Sequence, residues 1–247
     1  MIDIHSHVLP MVDDGAKSVR MALDMLIQAY EHGTDEIVLT PHFAYDYNFI
    51  NPKDKIRRFF SDLKRIVEAE HIPIKMYLGC EYLMSDIEIF HQQIQDIQTM
   101  NDTRYLLMEF HFNVEEKQVL TFVKEVLANG FIPIIAHAER FQCIQLSTPL
   151  AKKLIDMGCV LQMNKGSVLG EFGERPKECA FELLEHHYYK LVGSDTHHPI
   201  KRNAKMNESY DLIKEYFGRH YTEDLFYYNA KDMIRDIDIR KEDYEKY

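Results

Sequence analysis

The opening Met1-Ile2-Asp3-Ile4-His5-Ser6-His7 sets two imidazoles two positions apart on a stretch whose apolar residues alternate. That alternation predicts a strand, and strand residues two apart share a face. His5 and His7 can therefore aim at one point, which makes half of a transition-metal site. Val12-Asp13-Asp14-Gly15 follows closely and offers two carboxylates before a glycine. A lone His-X-His pair is as compatible with chance as with a metal. The balance shifts because His, Asp and Glu recur wherever a strand is predicted to end.

The elements that must position them alternate between strand and helix. Strands are expected over about Ile2–His5, Glu36–Thr40 (stopped by Pro41), Ile74–Leu78 (closed by Gly79), Tyr105–Phe110, Ile132–Ala136, Val160–Asn164 and Lys190–Gly193. Helices are expected over about Met21–Tyr30, Pro52–Glu70, Ser85–Gln98, Val114–Asn129, Thr148–Met157, Pro176–His186, Ala204–Phe217 and Thr222–Ile234, with a charged, frayed end over the last ten residues. Such alternation predicts a parallel sheet. No glycine-rich nucleotide fingerprint follows any strand, so a distorted (β/α)7 TIM-like barrel is the expected fold, one domain over 1–247.

In such barrels the loops after the strands carry the chemistry. Strand by strand they bring His5, His7 and Asp13/Asp14; His42; Cys80-Glu81; Glu109-Phe110-His111; His137-Ala138-Glu139-Arg140; Gln162-Met163-Asn164-Lys165; and Ser194-Asp195-Thr196-His197-His198. Any one of these is more readily a bland polar strand end than a ligand. Seven in register support a polynuclear metal site.

Composition narrows the classes. The 247 residues are 46% hydrophobic, enough for a sizeable core, and carry a formal net charge of -11 that argues against nucleic acid as the main partner. There are 13 histidines, an excess for the length. Cys80, Cys143, Cys159 and Cys179 form no compact disulfide framework, as expected of reduced thiols in a cytoplasmic protein. No apolar run is long enough to span a membrane, and no basic segment precedes the first strand, so neither a span nor a secretory leader is expected. Six positions after the cysteines stand Asp86, Pro149, Lys165 and Glu185, so the Cys-to-Arg spacing of thiolate phosphatases is missing.

The segments His5-Ser6-His7, Thr40-Pro41-His42, Ala136-His137 and Ser194-Asp195-Thr196-His197 resemble, in order, the four motifs of the PHP (polymerase and histidinol phosphatase) family. Val12-Asp13-Asp14-Gly15, Asn101–Tyr105, Ala136–Arg140 and Leu154–Cys159 are similar to its bacterial manganese-dependent protein-tyrosine phosphatases of capsule and exopolysaccharide loci. The resemblance implies three divalent ions, Mn2+ with Fe or Zn as alternatives. Its implied ligands are His5, His7, Asp14, His42, Glu81, Glu109, His137, Asp195 and His197, with Glu81 shared between ions and Asp13 competing with Asp14. Four carboxylates against three divalent ions leave a positive centre suited to a phosphate dianion.

The implied reaction is phosphotyrosine hydrolysis by a metal-activated hydroxide, with Asp195 and His197 among the catalytic groups. Arg140 is the favoured phosphate fork over a surface salt bridge with Glu139; Arg202 and Lys201 are weaker candidates, and the general acid is left open between His198 and a metal-bound water. The implied partner is a phosphotyrosine protein, a bacterial tyrosine kinase with a C-terminal tyrosine cluster; the oligomeric state stays open. Tyr45, Tyr47 and Phe49 read equally as an aromatic lip or as a half-exposed loop cluster, while Tyr227, Tyr228, Tyr244 and Tyr247 read as structural or exposed. The alternatives are histidinol-phosphate phosphatase, on the same centre, and a PHP nuclease or idle polymerase-associated module, which the net charge disfavours.

Overall fold

The first strand, β1 (Ile2–Ser6), is buried along its whole length, the mark of a parallel strand covered on both faces. In this computed structural model residues 1–240 are described. Eight further strands follow among them: β2 (Glu36–Leu39), β3 (His42–Phe43), β4 (Lys75–Leu78), β5 (Glu81–Leu83), β6 (Tyr105–Glu109), β7 (Ile132–Ile135), β8 (Val160–Asn164) and β9 (Tyr189–Gly193). All pair in parallel, in two sheets ordered β1-β2-β4 and β3-β5-β6-β7-β8-β9. The fold is α/β with parallel sheets.

The sheets meet at the first and last strands. Ser6 bridges Thr196, His7 N donates to Thr196 O (2.9 Å), and Asp195 N donates to His5 O (2.8 Å). On the far side, β2 and β4 run on through Pro41 and through Gly79-Cys80 into β3 and β5. Each strand breaks where expected, β2 after Leu39 ahead of Pro41 and β4 after Leu78 at Gly79, before the short strands β3 and β5 begin. Proline, which lacks an N–H, is tolerated at this break. Gly79, just past the end of β4, is also held small: a Cβ there would lie 2.7 Å from Met100 Sδ.

Alternation along the strands builds two apolar layers. Ile2, Ile4, Val38, Tyr105, Leu107, Ile134, Val160 and Leu191 form one cluster with Met233 and Ile234 of the helix Asn229–Ile234. Their neighbours Leu39, Leu106, Met108, Ile135, Leu161, Met163 and Val192 pack against helix residues such as Leu26, Leu63, Val123, Leu154 and Leu183.

Most predicted helices stand within a few residues of their expected bounds. The stretch from Ser85 to Gln98 forms only a short helix, Ile87–Gln93, because Asp86 caps it, accepting from Glu88 N (2.7 Å) and Ile89 N (3.0 Å). The helix expected from Pro176 begins at Glu174, with proline tolerated in the first turn. Of the last ten residues, expected to fray, Ile239 is tied down, its N donating to the Tyr105 hydroxyl (2.9 Å), while residues 241–247, with Tyr244 and Tyr247, lie outside the described residues. No helix among the described residues is long and apolar enough to cross a membrane.

One irregularity matters for the site. β1 carries an extra residue against β2 between Asp3 and Ser6, a bulge that re-aims side chains next to the strand end. Beside it, a Cβ on Gly193 would lie 2.4 Å from His5 Cβ and 3.3 Å from its Cα. Gly193→Ala is thus expected to push the His5 backbone. The cost should be about 1–3 kcal/mol, lowering Tm by roughly 3–10 °C for a domain of this size. Calorimetry checks it: an unchanged Tm would show that His5 has room to move.

Candidate metal centre

Glu81, at the start of β5, is almost fully buried at the middle of the cluster. Its Oε2 lies 3.1 Å from His5 Nε2, 3.2 Å from His7 Nε2 and 3.1 Å from His42 Nδ1, and its Oε1 lies 3.0 Å from His137 Nε2. One carboxylate so touches imidazoles delivered by β1, by the loop after it, by β3 and by the turn after β7. Glu109 Oε1, at the end of β6, is 3.1 Å from His42 Nδ1. Asp195 Oδ1, after β9, lies 3.4–3.7 Å from His197, His7 and His5. Asp14 Oδ1 lies 3.3 Å from His197 Nε2 and 3.5 Å from His42 Nε2.

Three sets of donor atoms result, each lying within 4.8 Å of one another: His7, Asp14, His42 and His197; His5, His7, Glu81 and Asp195; and His42, Glu81 and Glu109. The chemistry of the set fits cations. Among the described residues His42 Nδ1, Glu109 Oε1 and His197 Nε2 are buried without a hydrogen-bond partner, and His5 Nε2 faces His7 Nε2 at 3.3 Å. Nitrogen lone pairs turned toward each other and toward carboxylates need positive charge between them. The titration of the protein alone says the same. Burial and His7 depress His42, yet Glu81 and Glu109 outweigh them and raise it to about 9. Burial opposes ionisation of Asp195, but Arg202 and His5 hold it well below the usual carboxylate range.

Around the cluster, other side chains fix the ligands. Asp13 and Asp14 have different roles. Asp13 Oδ2 lies 2.8 Å from His7 Nδ1 and accepts from His42 N (3.0 Å), while its Oδ1 accepts from Gly15 N (2.9 Å), so only Asp14 faces the donor set. Gln162 Oε1 holds His5 Nδ1 (3.1 Å) and accepts from His137 N (2.9 Å). Asp3, buried beneath, accepts from Ser194 Oγ (2.6 Å) and Ser194 N (2.9 Å), fastening β1 to the end of β9. His137 (φ 34°) and Asp195 (φ 52°) both occupy the left-handed backbone region, strain that concentrates at functional sites.

Arg140 makes no pair with Glu139. Glu139 is fully buried, accepting from Ser167 Oγ, Tyr189 Oη and Asn164 N. Arg140 Nη1 instead donates to Asp195 Oδ2 (3.2 Å), where Arg202 Nη2 (2.5 Å) and Asn164 Nδ2 (2.9 Å) also arrive. Arg202 Nε is buried and unpartnered, so the weaker candidate of the sequence reading stands beside the favoured one, whereas Lys201 is exposed. His111 and His198 stay outside: His111 joins Asp46 (2.7 Å) and Tyr47 (3.1 Å), and His198 is exposed and accepts from Ile200 N. In the aromatic lip Phe49 lies flat against His42, while Tyr45 and Tyr47 are exposed. Cys80 is buried, and burial pushes its thiol up to about 12, so it packs and does not react.

Residues 1–235 match the family described as capsular polysaccharide synthesis, CpsB/CapC. The chain belongs to the CpsB/CapC family. It is 32% identical to the tyrosine-protein phosphatase CpsB of Streptococcus pneumoniae over 243 residues, covering 96% of this chain and 99% of that protein. It is 31% identical to the tyrosine-protein phosphatase YwqE of Bacillus subtilis over 223 residues, covering 88% and 85%. A solved structure described with YwqE and CpsB as unique metal-dependent tyrosine phosphatases superposes with a TM-score of 0.88 at 29% identity, over 96% and 95% of the chains. The histidinol phosphate phosphatase of Lactococcus lactis, solved with zinc, L-histidinol and phosphate, shares the fold (TM-score 0.60, 14% identity, 89% and 94% covered). The resemblance to capsule-locus tyrosine phosphatases read from the sequence thus holds, and the fold is shared with a histidinol phosphate phosphatase.

Proposed function

We propose that this chain is a metal-dependent protein-tyrosine phosphatase, one PHP phosphoesterase domain over 1–247, whose joined sheets make a distorted (β/α)7 barrel. The observation that carries the reading is Glu81, one buried carboxylate within 3.2 Å of four imidazoles. Bound divalent ions would supply a nucleophile at neutral pH and a positive field for the phosphoryl oxygens. The residues to hold them are His5, His7, Asp14, His42, Glu81, Glu109, His137, Asp195 and His197. Oxygen and nitrogen donors without thiolate suit Mn2+, with Fe or Zn as alternatives.

The chain's own residues do the rest. Asp13 and Gln162 fix the rings of His7 and His5. Arg140 and Arg202, gathered on Asp195, offer their remaining N–H groups to the phosphate. Tyrosine leaves as a phenolate of pKa ~10, which needs little help from an acid. The substrate class proposed is a phosphotyrosine protein in capsule or exopolysaccharide synthesis, a tyrosine kinase tail in the cytoplasm.

The test compares kcat/KM on a phosphotyrosine peptide and on histidinol phosphate, with Mn2+ and then with chelator. A preference for the peptide of at least ~100-fold, about 2.7 kcal/mol of transition-state discrimination, and loss of turnover with chelator are expected. Preference for histidinol phosphate would overturn the substrate and keep the centre. Turnover that survives complete chelation would overturn the centre.

A further inference from the structure

Arg140 is held by more than Asp195. Its guanidinium carbon lies 4.6 Å from the ring centre of Phe112 and 4.2 Å from that of Phe172. The two rings have different standing. Phe172 belongs to the turn after β8, where Glu171 N donates to Gly166 O (2.9 Å) and the buried Lys165 ammonium reaches Glu171 Oε1 (3.1 Å). Phe112 follows β6 by three residues, with its carbonyl pinned by Gln142 N (2.9 Å). Its ring centre is 6.0 Å from that of His137 and 6.1 Å from that of Phe141, yet the residue remains 44% exposed. A large apolar side chain thus stands open to solvent beside a cationic group and one of the imidazoles of the metal centre.

Resting on the phosphatase reading, we infer that Phe112 is a specificity-determining residue that receives the aromatic ring of the substrate. A phosphate held by Arg140 beside His137 puts its ester group within reach of the Phe112 ring. An aryl ester can lay its ring against Phe112 and cover that surface; a short alkyl ester leaves most of it wet. Phe49 does not offer the same surface, because it already lies flat on His42 (8° between planes). Phe172 supports Arg140 from its anchored turn, and the part of Phe112 left exposed beside Arg140 is open to the ligand.

The test uses two non-hydrolysable ligands that differ in the ring, phenylphosphonate and methylphosphonate, titrated calorimetrically into the Mn2+-loaded protein. Phe112→Leu keeps apolar bulk and removes the aromatic ring; Phe112→Tyr keeps the ring. The wild type should favour phenylphosphonate. Phe112→Leu should shrink that preference by about tenfold, an amount in line with one aromatic contact and its burial. It should weaken methylphosphonate by less than about twofold, and Phe112→Tyr should restore the preference. An equal weakening of both ligands by Phe112→Leu would overturn the inference, since Phe112 would then act through Arg140 alone. So would an unchanged preference. Failure of the wild type to bind either phosphonate would strike the phosphatase reading itself, a result distinguishable from the other two.

Discussion

Replacing Glu81 by Gln is expected to lower kcat/KM on a phosphotyrosine peptide by more than ~1,000-fold, about 4 kcal/mol of barrier. Both oxygens of this carboxylate are engaged, one by His137 and the other by His5, His7 and His42. Glutamine preserves the shape and removes the charge, and one end then presents N–H donors to nitrogens that need a cation. Removing one partner of a buried charged set costs about 3–5 kcal/mol because the others are left uncompensated. Atomic emission on the purified variant should show fewer divalent ions per chain than in wild type. A variant that keeps its full metal complement and activity within tenfold would remove Glu81 from the centre of the account.

Strand-end placement pointed to a broad set of His, acidic and amide residues, because parallel strands of an α/β fold all end on the same edge, and the family resemblance narrowed that set to nine ligands. His42, Glu81, Glu109, His137 and Asp195 each stand at or just past the end of a predicted strand, and the structure brings them together with His5, His7, Asp14 and His197. The contacts that hold them were not legible in the same way. Gln162 and Asn164 sit in the strand-end set, but nothing in their spacing says that one fixes His5 and the other Asp195. The roles of Asp13 and Asp14 depend on the turn at Gly15, where a Cβ would lie 2.0 Å from His7 O. The bulge in β1 leaves no periodic trace, nor do the short strands β3 and β5 that begin past Pro41 and Gly79. Register and tertiary approach decide these details, and they are properties of pairs of segments. His111 and His198 show the converse: both stand at strand ends and neither joins the site.

Asp195 joins the two halves of the site. One of its oxygens looks toward His5, His7 and His197, and the other receives Arg140, Arg202 and Asn164. The left-handed backbone at Asp195 is part of how one side chain reaches both, with its N–H bonded back to His5 O. The arginines therefore lie one carboxylate away from the donor set, where a phosphate would meet both the ions and the guanidinium groups.

That placement sets the expected behaviour of Arg140→Lys. Lysine keeps the charge but loses the planar fork and its fit to the Phe112 and Phe172 rings. The loss of charge-assisted hydrogen bonds should lower kcat/KM about 100-fold, roughly 2.7 kcal/mol. Inorganic phosphate should inhibit more weakly, because the same fork binds substrate and product. Metal content should stay at the wild-type level, since Asp195 retains Arg202 and Asn164 as partners. Kinetics, phosphate inhibition and metal analysis on one preparation separate the two roles open to this residue. If metal content falls in step with activity while phosphate inhibition is unchanged, Arg140 is a support for Asp195 and the phosphate falls to Arg202, whose buried Nε has no partner among the described residues.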